Sequence, residues 1–292
     1  MKTTEVFTPV DAKVGLTTDG KILKFATLED YEKAVDHEQE DIQTNMLAAI
    51  KSVKFKNYAT LEQVNQPTTD KSKGQEMDDF LAQLLNVDGA VQIQDHIYKV
   101  DLAKEKVFVI KAEDRATHYQ DLIHGNISNK AVSEYSTDDD VLYAVRDGIN
   151  EKCGGNGTHT KVANPIGFND NQEYEYYQFS IGNFKAGIYF SFRAIFELLP
   201  NPNMFGAPTS SVQFEKIITP HQLHLQFRPC NSSANHYYST GTFPMPYNGT
   251  HSSKWVAASS SRNLNKISAS MRGVLKRNGI TYTTDLLTLY IN

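Results

Sequence analysis

Apolar positions follow helical spacing in parts of the first half of the chain and strand spacing through most of the second. Thr27-Leu-Glu-Asp30 has the form of a capping box with Asp in the closing position. Behind it Leu28, Tyr31, Val35, Ile42, Met46 and Ile50 keep roughly helical intervals through an acidic segment, with a break near Asp36-His37. Thr60-Leu-Glu-Gln63 starts a second short helix. Met77, Phe80, Leu81, Leu84 and Leu85 share one helical face, which Asn86 to Gly89 terminates. Three short strands follow: Ala90–Gln94, Ile97–Val100 and Val107–Ile110, separated by turns at Asp95-His96 and Asp101–Glu105. An earlier turn at Thr18-Asp19-Gly20 leads into a strand over Lys21–Ala26. Residues 111–150 read as connecting helix and loop, with Asp147-Gly148 closing a helix that begins at Val141.

From residue 173 the period changes to two. Tyr174–Ile181 is a strand, and in Ala186–Phe196 the set Phe190, Phe192, Ala194 and Phe196 opposes Tyr189, Ser191 and Arg193. Val212–Thr219 and Gln222–Arg228 read as two strands meeting at Pro220. Ile267, Ala269, Met271, Gly273 and Leu275 alternate with polar residues, and Asn278-Gly279 suits a type I′ turn into a strand over Ile280–Ile291. Residues 263–277 also fit a helix; the Asn-Gly turn and the returning strand favour a hairpin.

The expected class is therefore α+β: an acidic mixed helix and β-meander unit over 1–150, a Gly-rich linker over 151–164, and an antiparallel, β-sandwich-like unit over 165–292. Charge supports the division. Residues 1–150 carry 17 Lys/Arg against 27 Asp/Glu, net −10, whereas residues 151–292 carry 12 against 7, net +5. Neither value calls for nucleic acid or an anionic membrane. With 40% hydrophobic residues in 292, the chain has material for a real core, and no run reaches the length of a membrane helix. Met1-Lys-Thr-Thr-Glu carries no apolar signal segment, as a mature, trimmed chain also would not.

Leu85-Asn-Val-Asp-Gly-Ala-Val-Gln-Ile-Gln-Asp-His-Ile-Tyr-Lys-Val100, followed by Glu105-Lys-Val-Phe-Val109, resembles a recurrent segment of uncharacterised exported proteins of Bacteroidota. Phe25-Ala-Thr-Leu-Glu-Asp-Tyr31 is similar to the helix start those proteins carry. The resemblance implies an exported or cell-surface location and no particular activity. Gln94 departs from it, since a glycine is expected before the turn aspartate.

Candidate chemistry is sparse. No nucleophile elbow, zinc-protease helix or phosphate loop occurs, so no catalytic residue is assigned. His221 and His224 are three apart, which on a strand sends them to opposite faces: His221 with Leu223 and Leu225, His224 with Gln226. His118 and His124 lack a third ligand, so no metal or other cofactor is expected. Asp138-Asp139-Asp140 lacks calcium-loop spacing and reads as a helix start favoured by the macrodipole. Arg262, Lys266, Arg272 and Lys276 read as the solvated face of the last hairpin. Cys153 and Cys230, both in loop-like surroundings, are a possible disulfide in an oxidising compartment. The aromatics Tyr174, Tyr176, Tyr177, Tyr237, Tyr238 and Trp255 are candidates for sugar stacking, with cross-strand pairing as the alternative; Trp255, Tyr237 and Tyr238 are the ligand-binding candidates. The expectation is a binding or structural protein whose partner is a glycan or another surface protein. A hydrolase with residues scattered in sequence, and a self-assembling surface protein, are the alternatives.

Overall fold

A computed structural model describes residues 5–7, 13–36, 58–64, 78–149, 158–170, 173–199, 214–229, 236–239, 241–244 and 253–291. The chain is mostly β, with several antiparallel sheets and short helices. It divides into two compact units. The first comprises residues 1–152 together with Lys185–Phe190 and Ser259–Asn263, and the second contains the remainder. Two short pieces from the second half of the sequence thus belong to the first unit, which a division into consecutive ranges does not contain. Thr160–Val162, inside the segment expected to be a linker, forms a strand of the second unit.

In the first unit β1 (Glu5–Phe7), β2 (Lys13–Leu16), β3 (Leu23–Phe25), β4 (Ala90–Ile93), β5 (His96–Asp101), β6 (Lys106–Lys111) and β7 (Ser133–Ser136) form one seven-stranded sheet in sequence order. All neighbours are antiparallel except β3 and β4, and the connection between that parallel pair carries α1 (Leu28–Val35), α2 (Leu61–Val64) and α3 (Asp79–Leu84). Two more helices follow β6, α4 (Arg115–His124) and α5 (Val141–Asp147). The helix-to-meander stretch reads from sequence as it folds, although Met77 lies outside the described residues and the first turn is Gln94-Asp95, with His96 already on β5. The strand β7 is a correction to the expected loop. Its alternation is short and polar, and β6 supplies its hydrogen bonds.

Local chemistry explains the helix ends. Thr27 Oγ1 accepts the Asp30 N–H at 3.0 Å and the Asp30 carboxylate accepts the Thr27 N–H at 3.1 Å, a complete capping box. Gly125 and Gly148 end α4 and α5 with left-handed backbone. Leu122 of α4 and Ile97, Phe108 and Ile110 of the sheet share a buried cluster, so α4 lies on one face of the meander.

The acidic run ends at the N-cap of α5, Asp140, and its side chains make specific bonds. Asp140 makes no side-chain cap; its carboxylate accepts the Asn263 N–H at 2.6 Å. Asp139 accepts the Ser136 N–H, and Asp138 pairs with the fully buried Lys185 at 3.1 Å. The Gly187 carbonyl accepts the Val141 N–H, and the Ile188 carbonyl accepts the Tyr31 hydroxyl. Asp138 and Asp140 thus hold the two returning segments in the first unit, a role that local sequence does not encode.

The second unit has two sheets. One orders β15 (Ser253–Ser260), β11 (Phe190–Leu199), β10 (Glu173–Lys185) and β8 (Thr160–Val162), with β9 (Ile166–Asp170) also on β10. The other orders β13 (His236–Tyr238), β12 (Glu215–Phe227), β16 (Leu264–Arg277) and β17 (Ile280–Thr283), with β14 (Phe243–Pro244) on β12 and β18 (Leu287–Ile291) on β16. Phe179, Phe192, Phe196, Leu223, Leu225, Ile267, Met271 and Leu289, drawn from both sheets, meet in one buried cluster. The turn between β16 and β17 has positive φ at both Asn278 (50°) and Gly279 (78°), as the Asn-Gly pair predicts.

The stretch around Pro220 is one continuous strand, not two. A bulge between Pro220 and Gln222 leaves His221 without a register partner, directly after the proline that cannot donate to the ladder. It also pushes His221 outward to solvent, so His221 does not join the inward face of Leu223 and Leu225.

Candidate functional site

The outer face of the six-stranded sheet carries a row of side chains built by register alone. Tyr238 on β13 lies opposite His224 on β12, His224 opposite Ser268 on β16, and Ser268 opposite Tyr290 on β18. Residues directly opposite in a ladder point to the same face. Their neighbours Leu223, Leu225, Ile267, Ala269, Leu289 and Ile291 fill the core, so the row faces away from it. Four strands at about 4.8 Å spacing place the two tyrosines about 14 Å apart.

Both tyrosines are open. Tyr238 is 67% exposed and Tyr290 59%, among the largest exposures of any apolar or aromatic side chain described. The Tyr238 ring stacks on His224 with centroids 4.4 Å apart and planes 8° from parallel. Between the tyrosines the surface is polar. Gln222 Nε2 donates to Ser268 Oγ at 2.8 Å, and the Tyr290 hydroxyl donates to Gln222 Oε1 at 3.3 Å. Gln222 and Thr288 are exposed, and Ser270 lies between them in the next register row. The face therefore offers two aromatic planes with amide and hydroxyl groups between them.

Cross-strand pairing uses only part of these rings. A cross-strand contact contributes about 0.2–1 kcal/mol, and the Tyr238–His224 stack and the Tyr290–Gln222 bond are contacts of that kind. Here the rings leave more than half of their area in water.

The other candidates fall elsewhere. Tyr237, one residue from Tyr238, turns inward and packs against the core. Trp255 on β15 packs against the same core and stacks on Phe243 at 5.1 Å. The row therefore includes Tyr238 and omits Tyr237 and Trp255. Tyr290 was not singled out by sequence, because a lone tyrosine in Leu-Thr-Leu-Tyr-Ile reads as an ordinary strand residue. The signal lay in its alternation with Leu287, Leu289 and Ile291. Cys153 and Cys230 lie outside the described residues. Among the described residues no group of three His, Cys, Asp or Glu side chains is placed to hold a metal ion. His118 contacts Asp121 and Asn129, and His124 bonds the Gln120 carbonyl. On β16, Lys266, Arg272 and Lys276 are solvent-exposed between buried neighbours, as the alternation predicts, while Arg262 sits in the turn before the strand.

One further titratable cluster lies in the first unit. Glu32 of α1 accepts from the Tyr143 hydroxyl of α5, Ser261 Oγ lies 3.4 Å from the same carboxylate, and the Arg262 guanidinium covers the Tyr143 ring at 3.6 Å. Burial raises the Glu32 carboxyl above its ordinary value, and Arg262, Ser261 and Arg146 only partly offset that. The cluster joins three chain segments and has the form of a tie.

Among the described residues no helix is long and apolar enough to cross a membrane. No family model, curated protein or solved structure matches the chain.

Proposed function

We propose that the chain is an exported or cell-surface binding protein without catalysis, and that it holds a glycan against the outer face of the six-stranded sheet. The reading treats the second unit as a β-sandwich whose free face is the binding surface. The observation that carries it is the Tyr238–His224–Ser268–Tyr290 row. A sugar ring presents an apolar face of C–H groups and an equatorial rim of hydroxyls. Tyrosine planes complement the first, while Gln222, Ser268 and Thr288 complement the second. A flat, open face suits an extended chain better than a single sugar, because it contacts one side of a ligand along its length.

The exported or surface location rests on the resemblance of the 77–110 segment to exported proteins. A surface protein reached through the same face is the competing partner, since exposed tyrosines also anchor protein interfaces. A glycan array probed with the full chain separates the two. Binding to one or more oligosaccharides is expected, and a blank array would remove the glycan reading.

A further inference from the structure

The first unit contains a cavity of about 750 Å³ between β3, β4 and α4. That volume falls within the range of small-molecule sites. Three acids line it, and each is already engaged. Asp19 accepts from the Arg115 guanidinium at 2.5 Å, from the Thr17 hydroxyl at 2.7 Å and from the Lys21 backbone N–H at 3.2 Å. Burial alone would raise this carboxyl, but those three donors outweigh it and hold its pKa down at about 2, so it stays ionised. Asp88 accepts the Tyr119 hydroxyl at 2.8 Å, and Glu113 lies 3.6 Å from the Lys111 ammonium.

Lys21 and Lys24 line the same cavity. Among the described residues neither ammonium has a carboxylate within ion-pair distance, whereas each of the three acids has a hydrogen-bond donor or an ion-pair partner. A ligand entering the cavity thus meets acids that already have a donor or a cation beside them and two cations with no carboxylate beside them among the described residues. Ala116 and Ile123 of α4 supply an apolar wall.

We propose that this cavity binds a small organic oxyanion of sugar-acid or sugar-phosphate type, with Lys21 and Lys24 holding the anionic group and the α4 wall covering the ligand's carbon skeleton. Lysine acts as a compact charge with rotatable donors, so the shared chemistry is the oxyanion and not one acid in particular. The site is separate from the tyrosine row and does not depend on it.

Titration calorimetry of the full chain tests the proposal with three probes: D-glucuronate, glucose 6-phosphate and neutral glucose. Saturable binding of at least one anionic probe is expected, with no binding of glucose. Loss of two charge-assisted contacts predicts that Lys21→Gln/Lys24→Gln weakens binding by at least about tenfold. Its thermal midpoint should be unchanged, because neither ammonium holds the fold together. Binding of glucuronate alone identifies a carboxylate ligand, and binding of glucose 6-phosphate alone a phosphate one. Failure of both anionic probes, equal binding of glucose, or full affinity in the double variant would overturn it. Tyr238→Ala/Tyr290→Ala should leave these titrations unchanged, which separates this site from the sheet face.

Discussion

At the scale of single residues, two positions show how tightly side chains are committed. A Cβ built on Gly273 of β16 would overlap the Phe196 ring and lie 2.8 Å from the Phe179 ring, both packed in the core. Those rings are themselves in contact, with centroids 4.9 Å apart, so neither can move freely. Gly273→Ala should therefore destabilise the chain by about 1–3 kcal/mol, the usual penalty for overpacking. Chemical denaturation would show the loss as a lower midpoint with an unchanged slope. Glu32 makes the opposite kind of prediction. Its folded-state pKa is raised above the ordinary 4.5, so the folded chain binds that proton more tightly than the unfolded chain. Its stabilising contribution is complete below about pH 4.5 and is lost as pH rises through the raised folded value. Glu32→Gln keeps an acceptor for the Tyr143 and Ser261 hydroxyls and removes the buried charge. The variant should melt above the parent at pH 7, with the gap closing below pH 4.5; a gap that widens on acidification would contradict the assignment. Arg262 and Arg146 temper the effect without reversing it.

At the scale of elements, the β4–β5 hairpin is where local sequence and backbone disagree. Gln94 sits at φ 55°, in the left-handed region where a side chain is disfavoured and glycine is not. Its N–H bonds the Phe25 carbonyl at 3.0 Å, so the conformation is held by the neighbouring strand β3. Gln94→Gly should stabilise the chain by up to about 1 kcal/mol, the left-handed strain being relieved at some cost in glycine entropy. A fall in thermal midpoint would mean that the Gln94 side chain contributes more than the turn costs. The same hairpin shows what sequence reveals well. Alternation, turn residues and short separations encode the 90–110 meander and the β16–β17 hairpin, because the interactions that select them lie within a few residues. The bulge at Pro220 and the strand β7 escaped for the converse reason. One depends on a partner strand about fifty residues away, and the other on pairing with β6.

At the scale of the whole chain, the long-range ties decide what sequence leaves hidden. Lys185–Phe190 and Ser259–Asn263 return to the first unit, held by Asp138, Asp140, the Val141 N–H and the Tyr31 hydroxyl. Nothing in the spacing of three adjacent aspartates announces partners 47 and 123 residues away. The candidate site was half legible for a similar reason. Tyr238 stands out as an aromatic in a strand-like stretch, but its companions His224, Ser268 and Tyr290 join it only through the register of four strands. Trp255 and Tyr237, the more tempting aromatics by context, serve the core.

The glycan surface is tested most directly by titrating the strongest ligand from the array against Tyr238→Ala, Tyr290→Ala and the double variant. Stacking of this kind is worth about 0.5–1.5 kcal/mol per ring, so each single change should weaken binding several-fold and the double change by about tenfold or more. Because both rings are mostly exposed, the thermal midpoint should hardly move. A double variant that binds with undiminished affinity would contradict the proposal that this face of the sheet holds the ligand.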